Sequence, residues 1–401
     1  VPTRAARAEY FPPSALNQNI LPESPAYWAC CALDLQINRL HLEQNSKVKE
    51  AVMFESLGFE TYTAPQVTVF FALVVGGLFG LLAERTKFCL RRSLVGEDRR
   101  AAAGVWLAAL AAAVVGTQIA AAQEFISFDD HRFMNTDLPW LAILIGGVLF
   151  GAGMVLTRGC VSRLTVLTAS GNLRALTVLL VFAITAHATL KGILAPLRTT
   201  LGSVTLPLES AALPGPALAW AALIALAASL FALRSRNRIG SLLLAVLLGL
   251  LVPAAWVGTG FVLYDDFDPV AMESLSFTAP AADTLFWTVA STSIPASFGV
   301  GFVGGVLAGA AISALAFRSF EWVSFTSPRE TGRYATGAMM MGVGGVLAGG
   351  CTVGAGLAGV PALSIAAVLA IAAIAAGALV MNALLGTAPR GIAGWAATPA
   401  E

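Results

Sequence analysis

Charge is scarce in this chain. Only 12% of its 401 residues are Asp, Glu, Lys or Arg, where a soluble domain carries about a quarter. The net charge is +1, and no basic stripe with interleaved aromatics occurs, so nucleic acid is excluded as a partner. Histidine numbers three and cysteine five. The cysteines are Cys30, Cys31, Cys89, Cys160 and Cys351; none forms a CxxC, and none has zinc spacing with a histidine. That absence speaks against a dithiol oxidoreductase and against a structural metal site. Residues 1–64 lack any long apolar run, so they hold neither a signal peptide nor a membrane span.

What is abundant is apolar length. Hydrophobic residues make up 57% and mean hydropathy is +0.78, the composition of a polytopic membrane protein whose partner is the lipid bilayer. A span needs about 20 mainly apolar residues. Nine candidates meet this, at 65–83, 101–123, 139–157, 175–190, 216–233, 239–263, 296–317, 334–350 and 362–385. Lys and Arg gather in alternate connections: 84–100, 158–174, 234–238 and 318–333. The others are acidic or nearly uncharged, with Glu124, Asp129, Asp130 and Asp137 in one and Asp265, Asp266, Asp268, Glu273 and Asp283 in another. Basic connections stay cytoplasmic, which predicts a periplasmic N-terminus and a cytoplasmic C-terminus in a bacterial inner membrane.

The stretch GAGMVLTRGC at 151–160 has a near copy, GVGGVLAGGC, at 342–351. They end spans three and eight, five spans apart, so they cross in opposite directions. The expected fold is an all-α polytopic membrane protein of about nine spans with two inverted repeats, 65–192 and 239–385, joined by a linker span at 216–233. Inverted repeats place a substrate site near the midplane, built from broken helices. Four short segments, 86–95, 158–170, 284–295 and 351–361, are read as re-entrant pieces. The leader 1–64 is read as a polar extension, disordered or upstream of a true start at Met53, and Cys30 and Cys31 as incidental.

A single cysteine in an apolar helix is usually a small hydrophobe, and Gly-rich faces usually serve close packing. Here two cysteines recur at one place in a repeat, each after a glycine (Gly159, Gly350), and Cys89 lies in a third re-entrant candidate. In a dry, narrow path desolvation keeps a thiol neutral. It is then a weak donor with a soft, polarizable sulfur, suited to a sulfur-bearing anion that a thiolate would repel. Arg158 and Arg163 flank Cys160; they either steer an anion or hold the cytoplasmic helix end. His187 and Lys191 read as snorkelling side chains. Met339, Met340 and Met341 keep open an alternative, a soft-metal transporter for an ion such as Cu(I). A membrane enzyme handling persulfide is a further alternative.

The combination of TKFC at 86–89, GAGMVLTRGC at 151–160 and GVGGVLAGGCTVGAG at 342–356 resembles the YeeE/YedE family of bacterial inner-membrane proteins over roughly residues 65–395. The resemblance implies an hourglass-shaped transporter, not an enzyme, that takes up thiosulfate or a related sulfur anion. It implies no cofactor, and relay points at Cys89, Cys160 and Cys351 that hold the ion through S–H···S contacts. It further implies a small TusA-like cytoplasmic sulfurtransferase as partner.

Overall fold

The computed structural model describes residues 62–265 and 268–387. Met53, Cys30, Cys31 and the rest of the leader up to residue 61 lie outside the described residues, as does the chain beyond 387. Thirteen α-helices are described: α1 Ala64–Thr86, α2 Leu90–Val95, α3 Arg99–Ala122, α4 Trp140–Leu156, α5 Val161–Ala169, α6 Leu173–Lys191, α7 Ala195–Gly202, α8 Ala217–Arg234, α9 Ile239–Val257, α10 Thr278–Ala290, α11 Phe298–Ala316, α12 Pro328–Leu347 and α13 Ile365–Thr387. Among the described residues, strands are reduced to one two-residue pair, β1 Asp137–Leu138 with β2 Leu206–Pro207, antiparallel. Nine helices among the described residues are long and apolar enough to cross a membrane. The protein is an all-α polytopic membrane protein.

Local chemistry sets the helix ends. Pro65 and Pro328 occupy first-turn positions, where a missing N–H costs nothing. Asn172 and Ser327 cap α6 and α12, their side-chain oxygens accepting from the N–H of Ala175 at 3.1 Å and of Glu330 at 3.3 Å. Large apolar side chains such as Phe70, Leu226 and Leu233 remain exposed on the spans, which in water would be a liability and in lipid is the required surface. The linker span α8 buries only alanines, Ala221, Ala225, Ala228 and Ala232. Their i, i+4, i+7 spacing makes one narrow seam, laid against α3.

Packing carries a two-fold exchange. Helix α1 packs chiefly on α11, and α3 on α9; α4 packs on α13, and α6 on α12. Exchanging α1 with α9, α3 with α11, α4 with α12 and α6 with α13 turns each of these pairs into the other. The pairs α4–α12 and α1–α9 map onto themselves. Helices α4 and α12 run antiparallel: Gly146 faces Gly344–Ala348, while Gly153 faces Gly337 and Met341. Close approach here is a backbone matter. A Cβ at Gly309 would lie 1.9 Å from the carbonyl oxygen of Gly77, and one at Gly151 2.1 Å from that of Ile374. Association without a water-driven hydrophobic force depends on such small-residue contacts.

Breaks in the helices leave backbone groups at membrane depth that only protein can satisfy. Polar side chains do so. Gln118 Nε2 donates to the Pro361 carbonyl at 2.7 Å, Ser364 Oγ to that of Phe133 at 2.7 Å, and Ser274 Oγ to that of Val252 at 3.0 Å. Thr157 Oγ1 bonds the carbonyls of Gly153 and Gly159, both at 3.0 Å. The third short segment begins earlier than its hydropathy indicates: α10 starts at Thr278, not 284. The loop before it is tied down by Thr259 Oγ1, which donates to the Glu273 carbonyl at 2.8 Å and accepts from the Glu273 N–H at 3.0 Å.

Candidate functional site

Each of the three buried cysteines sits at the same kind of break. A span ends on a left-handed residue, one connector residue follows, and a cysteine opens the next short helix. The triplets are Lys87-Phe88-Cys89, Arg158-Gly159-Cys160 and Gly349-Gly350-Cys351, with φ of 51°, 58° and 73° at the first residue of each. Left-handed backbone costs a side-chain-bearing residue about 1–2 kcal/mol, so Lys87 and Arg158 are held there by what surrounds them. Cys89 caps α2, Cys160 caps α5, and Cys351 caps a π-helical turn, Thr352–Gly359. π-helical turns are rare and concentrate at functional positions.

The first two sulfurs meet: Cys89 Sγ lies 3.7 Å from Cys160 Sγ, across 71 residues of sequence. Cys160 Sγ also lies 3.1 Å from Ser162 Oγ. Cys351 Sγ accepts instead from its own helix, the N–H of Gly354 at 3.4 Å. All three thiols are free and buried. The missing CxxC therefore did not mean a missing thiol pair, because tertiary structure makes one.

Arginines stand near two of these thiols. Arg163 and Arg91 lie within electrostatic reach of Cys89 and Cys160. Arg163 Nη1 and Arg91 Nε are buried with no hydrogen-bond partner among the described residues. A buried donor without an acceptor is costly, and an anion is the natural acceptor for a guanidinium. Arg158 occupies the left-handed position just before Gly159. Glu84, by contrast, is structural: it accepts from Ser313 Oγ at 2.8 Å and Ser319 Oγ at 2.9 Å and so stitches α1 to α11 and the turn after it. Arg174 and Glu330 pair at 2.7 Å between α6 and α12.

The composition gave no hint of the arginine whose charge reaches Cys351. Arg132 is within electrostatic reach of both Cys351 and Glu273. Arg132 and Glu273 reach solvent, yet crowding by protein lowers the Arg132 pKa and raises that of Glu273. His131 beside Arg132 is packed against Trp256, centroids 5.1 Å apart, and Phe133, 4.8 Å; burial and then Arg132 depress its pKa to about 4, so it is neutral near pH 7. The available signal was Arg132 itself, a cation in an otherwise acidic connection.

The remaining candidates divide. Gly350 is tightly placed, since an added Cβ would lie 2.9 Å from the Ala355 backbone nitrogen, whereas one at Gly159 would meet the flexible end of Leu164 at 3.1 Å. Of the three methionines only Met341 is buried, with the Thr157 hydroxyl 3.8 Å from its sulfur. His187 stacks on Phe286 at 4.7 Å. No group of three or more His, Cys, Asp and Glu suited to a metal ion occurs among the described residues. Comparison with curated proteins finds none that matches. The family model described as sulphur transport does match, from residue 85 to residue 380, a stretch that contains all three cysteine breaks. This chain belongs to the sulphur transport family.

Proposed function

We propose that the protein takes up thiosulfate or a closely related sulfur anion across the bacterial inner membrane, handing the ion between the thiols of Cys351, Cys160 and Cys89. The observation that carries this reading is the buried Cys89–Cys160 pair, 3.7 Å apart, within electrostatic reach of Arg163, whose buried Nη1 has no hydrogen-bond partner among the described residues. A neutral thiol offers a weak S–H donor and a polarizable sulfur. The guanidinium offsets the charge of an ion that has left its water behind. Arg132, on the acidic-loop side taken as periplasmic, draws the anion toward Cys351. Arg163, Arg91 and Arg158 receive it on the basic side taken as cytoplasmic.

Moving two negative charges inward against about 100 mV costs roughly 4.6 kcal/mol. A passive path does not accumulate the ion, so a cytoplasmic consumer, such as a TusA-like sulfurtransferase, keeps the flow inward. A second reading, a soft metal ion held by the Cys89–Cys160 pair, draws on the same sulfur separation. Uptake of labelled thiosulfate by cells expressing the full chain distinguishes the two. The relay reading expects chelator-resistant uptake that Cys160→Ala and Cys351→Ala each abolish at normal membrane levels, and that Ser restores poorly. Wild-type rates in both variants sink the relay; chelator-sensitive transport with stoichiometric Cu(I) binding favours the metal.

A further inference from the structure

The two-fold exchange has a member whose chemistry changes. Phe88 and Phe277 both pack on Phe79, with centroids 6.3 Å and 5.5 Å away. Each is followed by a buried residue at the start of a re-entrant helix, Cys89 before α2 and Thr278 in α10. Cys89 is the N-cap of α2 and Thr278 the first helical residue of α10, so the two stand within one position of each other at corresponding helix starts. The burial is alike, with 5% of Thr278 and 6% of Cys89 exposed.

Thr278 Oγ1 has no hydrogen-bond partner among the described residues. Buried helical threonines ordinarily donate to the carbonyl four residues back, as Thr284 does to Pro280 at 2.6 Å in the same helix. At the first position of α10 no such helical carbonyl precedes Thr278. An unsatisfied buried hydroxyl costs about 1–3 kcal/mol, and a position with no use for one would be filled by valine.

The surroundings place this side chain, whose hydroxyl and methyl stand equally near Gly345. A Cβ at Gly345 would lie 3.2 Å from Thr278 Oγ1, and a Cβ at Gly354 2.8 Å from Ser276 Oγ. Gly345 precedes the break that carries Cys351, and Gly354 donates to the Cys351 sulfur. The segment from Ser276 to Thr278 therefore straddles that break.

We propose that Thr278 is a substrate-binding and specificity-determining residue, its hydroxyl donating to the oxygen end of the anion while the Cys351 thiol meets the sulfur end. This inference rests on the relay reading above and deepens it. The outer half-site then offers one hard donor and one soft one, matched to an anion with a hard oxygen face and a soft terminal sulfur. The inner half-site offers two thiols.

The test is concentration-dependent uptake of labelled thiosulfate by cells expressing the full chain, with Thr278→Val, Thr278→Ser and Cys351→Ala in parallel and protein amount measured in the membrane. Valine keeps the shape and removes an unsatisfied hydroxyl, so a merely structural Thr278 leaves the variant folded and fully active. The proposal expects KM to rise about tenfold in Thr278→Val, the worth of one hydrogen bond to a charged group, and to stay near wild type in Thr278→Ser. Wild-type kinetics in Thr278→Val, with Cys351→Ala inactive, overturn the proposal and leave the relay standing. A Thr278→Val defect beside a fully active Cys351→Ala overturns the relay and keeps Thr278 on the path. No thiosulfate uptake by the wild-type chain overturns both.

Discussion

At the breaks of the first half two sulfurs stand 3.7 Å apart, whereas at those of the second half one sulfur, Cys351, is bonded to the N–H of Gly354. The backbone repeats itself far better than the side chains do. A left-handed residue, a connector and a cap recur at three breaks, and the fourth, before α10, is reached through a long loop instead. A duplicated fold sets where helices are interrupted, and the residues placed there decide what passes. Two halves built alike can therefore carry unlike side chains at their breaks, a pair of sulfurs in one and a single sulfur in the other.

The glycines before Cys160 and Cys351 give the sharpest way to break this comparison. Gly350→Ala forces a Cβ to 2.9 Å from a backbone nitrogen, whereas Gly159→Ala presses only on the end of Leu164. Overpacking costs about 1–3 kcal/mol where the neighbour cannot yield. Uptake in Gly350→Ala should fall on the order of tenfold, the effect of roughly 1.4 kcal/mol, with Gly159→Ala within about twofold of wild type. Equal losses would mean that the two breaks are equally tight and that their difference lies in the thiols alone.

A smaller effect concerns the acidic connection that carries Arg132. Arg132 reaches solvent beside Glu273, so Arg132→Gln should lower uptake about threefold at low ionic strength and less as salt screens the attraction. A defect that ignores salt would remove Arg132 from the steering role. The least effect concerns acidification. His131 has its pKa depressed to about 4, so between the ordinary value near 6.5 and 4 the unfolded chain binds more protons than the folded one. Stability therefore rises with pH across that window and is lost toward pH 4. Thermal unfolding of purified protein at pH 4.5 and pH 7 should differ by a few degrees, and His131→Phe should narrow the gap.

Much of the fold was legible in the sequence because lipid imposes a length and an apolar content that need no knowledge of partners. The nine apolar runs lie where the nine long helices do, to within a few residues at most ends. Glycine-cysteine endings marked two of the breaks, and Cys89 a third, since each motif is local. What escaped depends on contacts across the chain. The Cys89–Cys160 approach spans 71 residues, the Arg132–Cys351 relation more than 200, and neither leaves a spacing to read. The start of α10 was misplaced because Ser274, Ser276 and Thr278 look like loop residues, yet Ser274 and Thr278 are buried. Polarity at that point serves the interior rather than solvent.

The crossed pairing of helices has a consequence for biogenesis. Helix α1 finds its principal partner in α11, which leaves the ribosome about 200 residues later. At about 5–20 residues per second that delay is on the order of tens of seconds. For that time the glycine-lined face of α1, shaped for a backbone contact with Phe302 and Val306, has only lipid against it. Helices α3 and α4 wait similarly for α9 and α13. Insertion and assembly are therefore separate events for this chain, and the crossed helix pairs do not exist until translation of the second half is nearly complete.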